Sequence, residues 1–279
     1  MFSSPSPKVT CGSRAAWACA LTLVGLSLGI SEILRIWSQN SPSFTHWLRT
    51  NSFVAQNALK ILRATLWISV AYYFSGARSA RDFLQRVGLS RRPSLPGWWC
   101  GWVAIAIAIL DRYGGTKGLT SPNPVARGFY REGGEVMLFF VLFVVSVGPF
   151  YEELALRGFL YQAFRGSYGL LLSAFLVVCV SAYFHWGPMT HSFWTPACLV
   201  SLWILLCMVR ERTDNSWNCV LCHAAYNATQ VLAWPVCVIG MILIFPYCAS
   251  GSLSPNPAHA NKEIANTSTD RNTQSKAPQ

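Results

Sequence analysis

Charged residues are scarce in this sequence of 279 residues: Asp, Glu, Lys and Arg together make up 12% of it, about half of the roughly 25% usual for a soluble globular protein. Acidic residues are the scarcest, with 11 Asp and Glu against 22 Lys and Arg. Hydrophobic residues reach 52%, with 12 Trp, and the mean hydropathy is +0.33. This composition excludes a disordered chain, a collagen, a coiled coil and a small disulfide scaffold. It predicts a polytopic membrane protein.

The excess of basic residues, a formal charge of +11, is explained by membrane topology rather than by nucleic acid. The charge comes with no zinc-finger spacing and no aromatic RNA-binding signature, so we expect no nucleic-acid partner. Short loops rich in Lys and Arg face the cytoplasm. With a cytoplasmic N-terminus, the loops at 76–96, 165–168 and 210–215 share that side. One of them holds five arginines: Arg78, Arg81, Arg86, Arg91 and Arg92.

The ten cysteines do not indicate disulfide bonds. Most of them lie inside apolar stretches, where a free cysteine behaves as a small hydrophobic residue. The basic N-terminus precedes an apolar run that continues to Trp37 without a small-residue cleavage site. This pattern predicts an uncleaved signal anchor.

Apolar stretches long enough to cross a bilayer, about 20 residues each, recur along the chain. We predict an all-α bundle with about seven or eight transmembrane helices, the number depending on whether the last two stretches form one helix broken at Trp234-Pro235. Residues 1–134 would hold N-terminal transmembrane helices, residues 135–248 a second helical unit, and residues 249–279 a disordered polar tail. The stretches lie near 15–37, 53–75, 97–111, 135–164, 168–187, 193–209, 216–229 and 230–248.

Ionisable residues at membrane depth are costly and therefore indicate function. Only three acids, Glu32, Glu152 and Glu153, and two histidines, His185 and His223, lie well inside these stretches. On a helix, Glu153 and Arg157 stand at i and i+4, the favourable order for an ion pair. Glu152 points about 100° away and has no expected partner in its own helix. Alternatively, the two acids are a charge cluster at the cytoplasmic end of a span that closes at Tyr151.

A hairpin would bring Glu152 and His185 to the same depth. Glu152 lies 16 residues before Tyr168, and His185 lies 17 after it. If the chain turns back near Gly166 to Gly169, both lie about 25 Å from the turn. A carboxylate beside an imidazole can hold and deprotonate a water molecule.

His223 and Asn227 form a third polar group, because their i, i+4 spacing places both on one face of a helix. Such a pair can donate hydrogen bonds to the oxyanion that forms when water attacks an amide. Alternatively, it joins neighbouring helices, as polar residues commonly do in membranes. Counted along its span, His223 lies shallower than His185, so their meeting requires a tilted, kinked or displaced helix.

These three motifs, Glu-Glu-x-x-x-Arg at 152–157, the intramembrane His185 and His-x-x-x-Asn at 223–227, resemble the CPBP family. This family includes CAAX prenyl endopeptidases and bacteriocin-processing enzymes. The resemblance implies that Glu152 and His185 activate water, that His223 and Asn227 stabilise the oxyanion, and that Arg157 positions Glu153. It also makes residues 135–248 the catalytic core. The family's second motif is usually Phe-x-x-x-His, whereas Ser181 stands four residues before His185.

We therefore expect an intramembrane endopeptidase that cleaves a membrane-associated protein or peptide within a lipid bilayer, with no cofactor. The family's members cut varied substrates, so a prenylated substrate is not implied, and the oligomeric state is open. Zinc is the alternative, since Glu152, His185 and His223 are a zinc ligand set. Metal dependence stays open because family members have been called both glutamic proteases and metalloproteases.

Three rival interpretations use the same residues. Cys219-x-x-Cys222-His223 matches the attachment signature of c-type haem, and these residues with His185 could also bind zinc. A non-enzymatic or proton-coupled membrane protein, such as a transporter or scaffold, would use Glu152, His185 and His223 as a relay or packing network. No internal repeat supports a transporter.

Overall fold

The computed structural model describes residues 12–50, 52–114, 138–139, 141–190, 193–232 and 234–253, and every regular element within these ranges is helical. This confirms the predicted all-α class. Ten of the elements are continuous helices: α1 (Ser13–Asn40), α2 (Pro42–Thr50), α3 (Ser52–Phe74), α4 (Ala80–Arg86), α5 (Leu95–Gly114), α7 (Leu170–Phe184), α8 (Trp186–Met189), α9 (Trp194–Thr213), α10 (Ser216–Val231) and α11 (Trp234–Leu253).

The remaining helix, α6, changes its winding along its length. It consists of a π-helical segment Phe143–Val147, an α-helical turn Gly148–Glu153, a second π-helical segment Leu154–Leu160 and a final α-helical turn Tyr161–Arg165. π-helical turns are uncommon and are frequent at functional sites. The two acids of the first motif lie in the α-helical turn between them.

Two of the helices in the described ranges, Ser13–Asn40 and Trp194–Thr213, are long and apolar enough to cross a membrane, and Leu170–Phe184 is a shorter apolar helix. Large apolar side chains also point outward: Phe193 is 89% exposed and Leu171 is 84% exposed. Such a surface suits lipid better than water. The number of seven or eight spans stays a prediction, although α10 and α11 are separate helices.

Helix α6 occupies the centre of the bundle, in contact with α3 on one side and α10 on the other. One apolar core surrounds α1, α3, α4 and α6, with Trp67 and Phe159 among its buried residues. A second core joins α5, α9 and α10 around Trp203 and Leu202. Residues of α6 therefore meet residues that are distant in the sequence on both sides.

The three basic loops meet at one end of the bundle. The Arg165 guanidinium pairs with Glu211 at 2.9 Å, joining the α6–α7 turn to the end of α9. The Ser216 backbone N–H donates to the Gly88 carbonyl at 2.9 Å, joining the five-arginine loop to α10. Trp17 of α1 donates to the Tyr168 hydroxyl at 3.1 Å. The start of α1 and the basic loops thus share one face, as the charge distribution requires of a single membrane side.

Helix α6 packs very tightly against the loop after α4 at Gly158. A Cβ added there would lie 2.9 Å from the Val87 Cβ and 3.0 Å from the Val87 carbonyl oxygen. We expect Gly158→Ala to destabilise the protein by about 1–3 kcal/mol, because backbone atoms must move apart. Gly25→Ala is the matched control, since a Cβ at Gly25 meets nothing within 4 Å. Thermal unfolding in detergent measures both, and equal melting temperatures for the two variants would contradict the prediction.

The fold also bears on the cysteines, on Glu32 and on the predicted C-terminal tail. All nine described cysteines are free. Glu32 pairs with Arg35 on the exposed side of α1. Helix α11 runs to Leu253, past the predicted start of the tail at residue 249, and residues 254–279 lie outside the described ranges.

Candidate active site

The two adjacent acids of α6 lie in different environments. Glu153 is fully buried, whereas the side chain of Glu152 keeps 15% of its surface exposed. Consecutive helical residues point about 100° apart, so one carboxylate faces α10 and the other faces the end of α7. The helix does not end at Tyr151 but continues to Arg165. The chain turns at Gly166 and Ser167 and returns as α7, as predicted.

Glu152 and His185 face each other across this hairpin. The Glu152 Oε2 atom lies 3.6 Å from the His185 Nε2 atom. The other ring nitrogen of His185, Nδ1, lies 2.9 Å from the Ser181 carbonyl oxygen, to which it donates its proton. In the neutral ring Nε2 is then unprotonated, so two acceptors confront each other. Their separation is too long for a direct hydrogen bond and suits a bridging water molecule.

The Ser181 side chain does not touch His185. Its hydroxyl donates to the Val177 carbonyl at 2.9 Å, and only its backbone carbonyl orients the imidazole. The aromatic neighbour of His185 is Trp203 of α9, with ring centroids 5.3 Å apart. The hydrogen bond that orients His185 thus uses the backbone of residue 181 and not its side chain.

The Tyr151 hydroxyl donates to Glu152 Oε1 at 3.2 Å. The expectation that Glu152 has no partner in its own helix is thus wrong, because a tyrosine side chain is long enough to reach round from the preceding position. Tyr151 is itself held edge-on against Trp67 of α3, with ring centroids 5.6 Å apart. This contact positions Oε1 and leaves Oε2 facing His185.

Glu153 connects α6 to α10. The predicted ion pair is present, with Arg157 Nη1 3.0 Å from Glu153 Oε1 and both side chains fully buried. The same oxygen accepts a hydrogen bond from His223 Nδ1 at 2.8 Å. Sequence reasoning missed this second bond, because nothing in the spacing of residues shows which face of α10 meets α6. Its consequence is that Glu153 orients His223.

Asn227 lies one turn after His223 on α10 and contacts the first π-helical segment of α6. Its side-chain amide donates to the Val144 carbonyl at 2.9 Å. An amide has two N–H groups, so this bond orients Asn227 and leaves a second donor for another acceptor. His223 and Asn227 are thereby both tied to α6, His223 at Glu153 and Asn227 at Val144.

The structure adds Arg63 of α3 to this neighbourhood. Its guanidinium lies over the rings of Trp67 and Phe184, 5.4 and 5.0 Å from their centroids, and it interacts electrostatically with His185. An arginine well inside an apolar stretch is as costly as an acid or a histidine. Arg63, which lies halfway along α3, therefore carries a signal of its own in the sequence.

The rival metal and haem sites gain no support from the side-chain positions. Within the described ranges, no three His, Cys, Asp or Glu side chains converge as metal ligands. His223 uses one ring nitrogen to bind Glu153. Cys219 and Cys222 are fully buried, and their thiols lie against the carbonyl groups of Leu206 and Gly97. A haem could not reach these thiols without opening the second core.

Comparisons with known proteins bear on the same part of the chain. No curated protein and no solved structure matches it. One family model matches residues 134–229, about a third of the chain, from just before α6 to near the end of α10. This region contains Glu152, His185, His223 and Asn227. It matches the Rce1-like family, described as type II CAAX prenyl endopeptidases, and the match confirms the resemblance to CPBP membrane proteases.

Proposed function

We propose that this protein is an intramembrane endopeptidase in which Glu152 and His185 together activate a water molecule. The observation that carries the proposal is the pair of acceptors 3.6 Å apart. A water molecule bound beside the pair, within hydrogen-bond distance of both atoms, would donate one proton to each acceptor, and its oxygen would keep a lone pair for attack. The match to an endopeptidase family over this region supports peptide hydrolysis.

The reaction needs four events at these residues. The water oxygen bonds to the scissile carbonyl carbon as Glu152 accepts one of its protons. The carbonyl oxygen becomes an oxyanion in a tetrahedral intermediate. The C–N bond then breaks, and His185 relays the proton from Glu152 to the leaving amine. The products are a new carboxyl terminus and a free amine, with no covalent enzyme intermediate.

His223 and Asn227 are proposed to stabilise the oxyanion. Since His223 donates through Nδ1 to Glu153, its Nε2 atom donates a hydrogen bond only when the ring is an imidazolium. The buried carboxylate of Glu153 holds the ring through Nδ1, and Arg157 keeps the carboxylate in place. The free N–H of Asn227 provides a second donor.

We expect Asn227→Ala to lower kcat by about 10²- to 10³-fold, the usual cost of removing one oxyanion donor. Gln230→Ala is the matched control, because Gln230 lies one turn further along α10 and donates to Asp111 instead. Steady-state cleavage of one peptide substrate by both variants measures the effect. Equal kcat values for the two variants would remove Asn227 from the mechanism.

The substrate can be sought in cells. Protein termini are compared by mass spectrometry in cells that carry the wild type or Glu152→Ala. We expect a set of new termini in membrane-associated proteins that is present only with the wild type. Identical termini in both strains would contradict the peptidase proposal and favour the relay or packing role.

We further propose that catalysis needs no metal and that the chain crosses the membrane several times with its N-terminus in the cytoplasm. A carboxylate paired with an imidazole can accept the proton of water unaided. Elemental analysis of the active purified protein is expected to show far less than one zinc per chain. A stoichiometric zinc, lost together with activity on chelation, would overturn the metal-free mechanism.

A further inference from the structure

A cavity of about 450 Å³ lies beside the proposed catalytic pair. Its volume is in the range of ligand-binding clefts. Two of its lining residues, Phe184 and Trp186, are the chain neighbours of His185, so the cavity adjoins the site of cleavage. The lining residues come from α1, α3 and the α7–α8 junction: Ser27, Ser31, Arg63, Tyr183, Phe184 and Trp186.

Arg63 is the one charged side chain among these lining residues. It stands 11 residues from each end of α3, about 16 Å along the helix axis. In the part of the chain that the structure describes, no carboxylate forms an ion pair with it. A guanidinium without an ion-pair partner among these residues is available to an anion.

Aromatic rings hold the Arg63 guanidinium without neutralising it. It lies 5.4 Å from the centroid of Trp67 and 5.0 Å from that of Phe184. A cation over a ring face gains electrostatic energy, but its planar N–H groups remain available for an acceptor. Arg63 is therefore positioned in advance for an anion.

We propose that Arg63 binds the free C-terminal carboxylate of a peptide substrate in this cavity. The inference rests on the proposed peptidase function. A guanidinium matches a carboxylate with two parallel hydrogen bonds, and Tyr183, Phe184 and Trp186 provide an apolar lining for the last side chains of the peptide. A peptide carboxylate is favoured over a lipid phosphate because two lining residues of the cavity, Phe184 and Trp186, flank the proposed catalytic His185.

The test compares two peptides that differ only at the C-terminus, one ending in a carboxylate and the other in an amide. We expect the wild type to cleave the carboxylate peptide with a kcat/KM roughly 10- to 100-fold higher. In Arg63→Gln this preference should fall to about one. In Arg63→Lys it should be intermediate, because the charge remains and the paired hydrogen bonds are lost. The ratio within each variant does not depend on the folded fraction.

Arg81→Gln is the matched control, since Arg81 is an exposed arginine of α4 outside the predicted spans and should keep the full preference. An undiminished preference in Arg63→Gln overturns the inference. So does an equal loss of activity toward both peptides, which would mean that Arg63 acts on the catalytic groups or the fold. An added anionic lipid that competes with the carboxylate peptide would assign Arg63 to lipid instead.

Binding without turnover separates this inference from the proposed function. Glu152→Gln should bind the carboxylate peptide more tightly than the amide peptide, and Glu152→Gln combined with Arg63→Gln should bind both equally. A preference in binding with no cleavage of either peptide by the wild type would support the carboxylate site and contradict the peptidase proposal. Cleavage of both peptides without any preference would support the peptidase proposal and contradict the carboxylate site.

Discussion

Replacing Glu152 by glutamine is expected to lower kcat by about 10²- to 10⁴-fold, the range that general base catalysis contributes. Glutamine keeps the shape of the side chain and can still accept a hydrogen bond from the Tyr151 hydroxyl. It cannot accept the proton of water. Because the Glu152 side chain is not fully buried and forms no ion pair with Arg or Lys in the described ranges, the melting temperature should stay close to that of the wild type. Cleavage of a peptide substrate and thermal unfolding in detergent measure the two effects.

The matched control is Glu32→Gln, which removes an intramembrane acid from the exposed face of α1 and should leave kcat unchanged. The effects on activity and stability together distinguish a peptidase from a non-enzymatic packing network. Loss of activity with retained stability supports water activation. Cleavage at the wild-type rate by Glu152→Gln, or by His185→Ala, would contradict the proposed mechanism. A marked loss of stability in Glu152→Gln would instead support a packing network.

Replacing Arg157 by methionine is expected to lower the free energy of unfolding by about 3–5 kcal/mol. Arg157 and Glu153 are both fully buried, and removing one partner leaves an uncompensated charge in the interior. The variant should also lose activity, because Glu153 would no longer hold His223 at the angle set by their 2.8 Å bond. Denaturation in mixed micelles measures the loss of stability.

The double variant Glu153→Leu with Arg157→Met provides the control for this prediction. Exchanging a buried ion pair for apolar residues of similar volume is often neutral for stability, so the double variant should recover most of the loss. Its activity should stay low, because His223 has lost its acceptor. A double variant that is as unstable as Arg157→Met would show that the pair does not compensate its own charge. A fully active double variant would exclude Glu153 as a positioning residue.

Much of the helical framework follows from local patterns. Stretches of apolar residues predicted α1, α3, α5 and α9 to within a few residues, because the length of an apolar run and the length of a helix are both local properties. The hairpin of α6 and α7 also followed, since counting from Tyr168 placed Glu152 and His185 at one depth. Their 3.6 Å separation agrees with that count.

Other features depend on how the helices rotate and pack. Counting residues placed His223 too shallow to meet the others, yet α10 lies against the two π-helical segments of α6 and brings His223 to Glu153. Residue spacing likewise predicts none of three further contacts. These are the contact between Tyr151 and Glu152, the ring of Trp203 beside His185, and the cation–π contacts of Arg63. Each depends on a side-chain direction or on a neighbouring helix that sequence distance does not reveal.

The sequence by itself determined that the protein is helical and apolar, and it singled out the few ionisable residues inside apolar stretches as candidates for its chemistry. Scarcity of charge sufficed for this, because the cost of burying a charge in lipid acts on each residue separately. The tertiary structure alone decided the contacts between helices: the 3.6 Å separation of Glu152 and His185 across the hairpin, and the bond from His223 to Glu153. Pairing depends on the rotation and separation of helices, which arise from packing across the whole bundle.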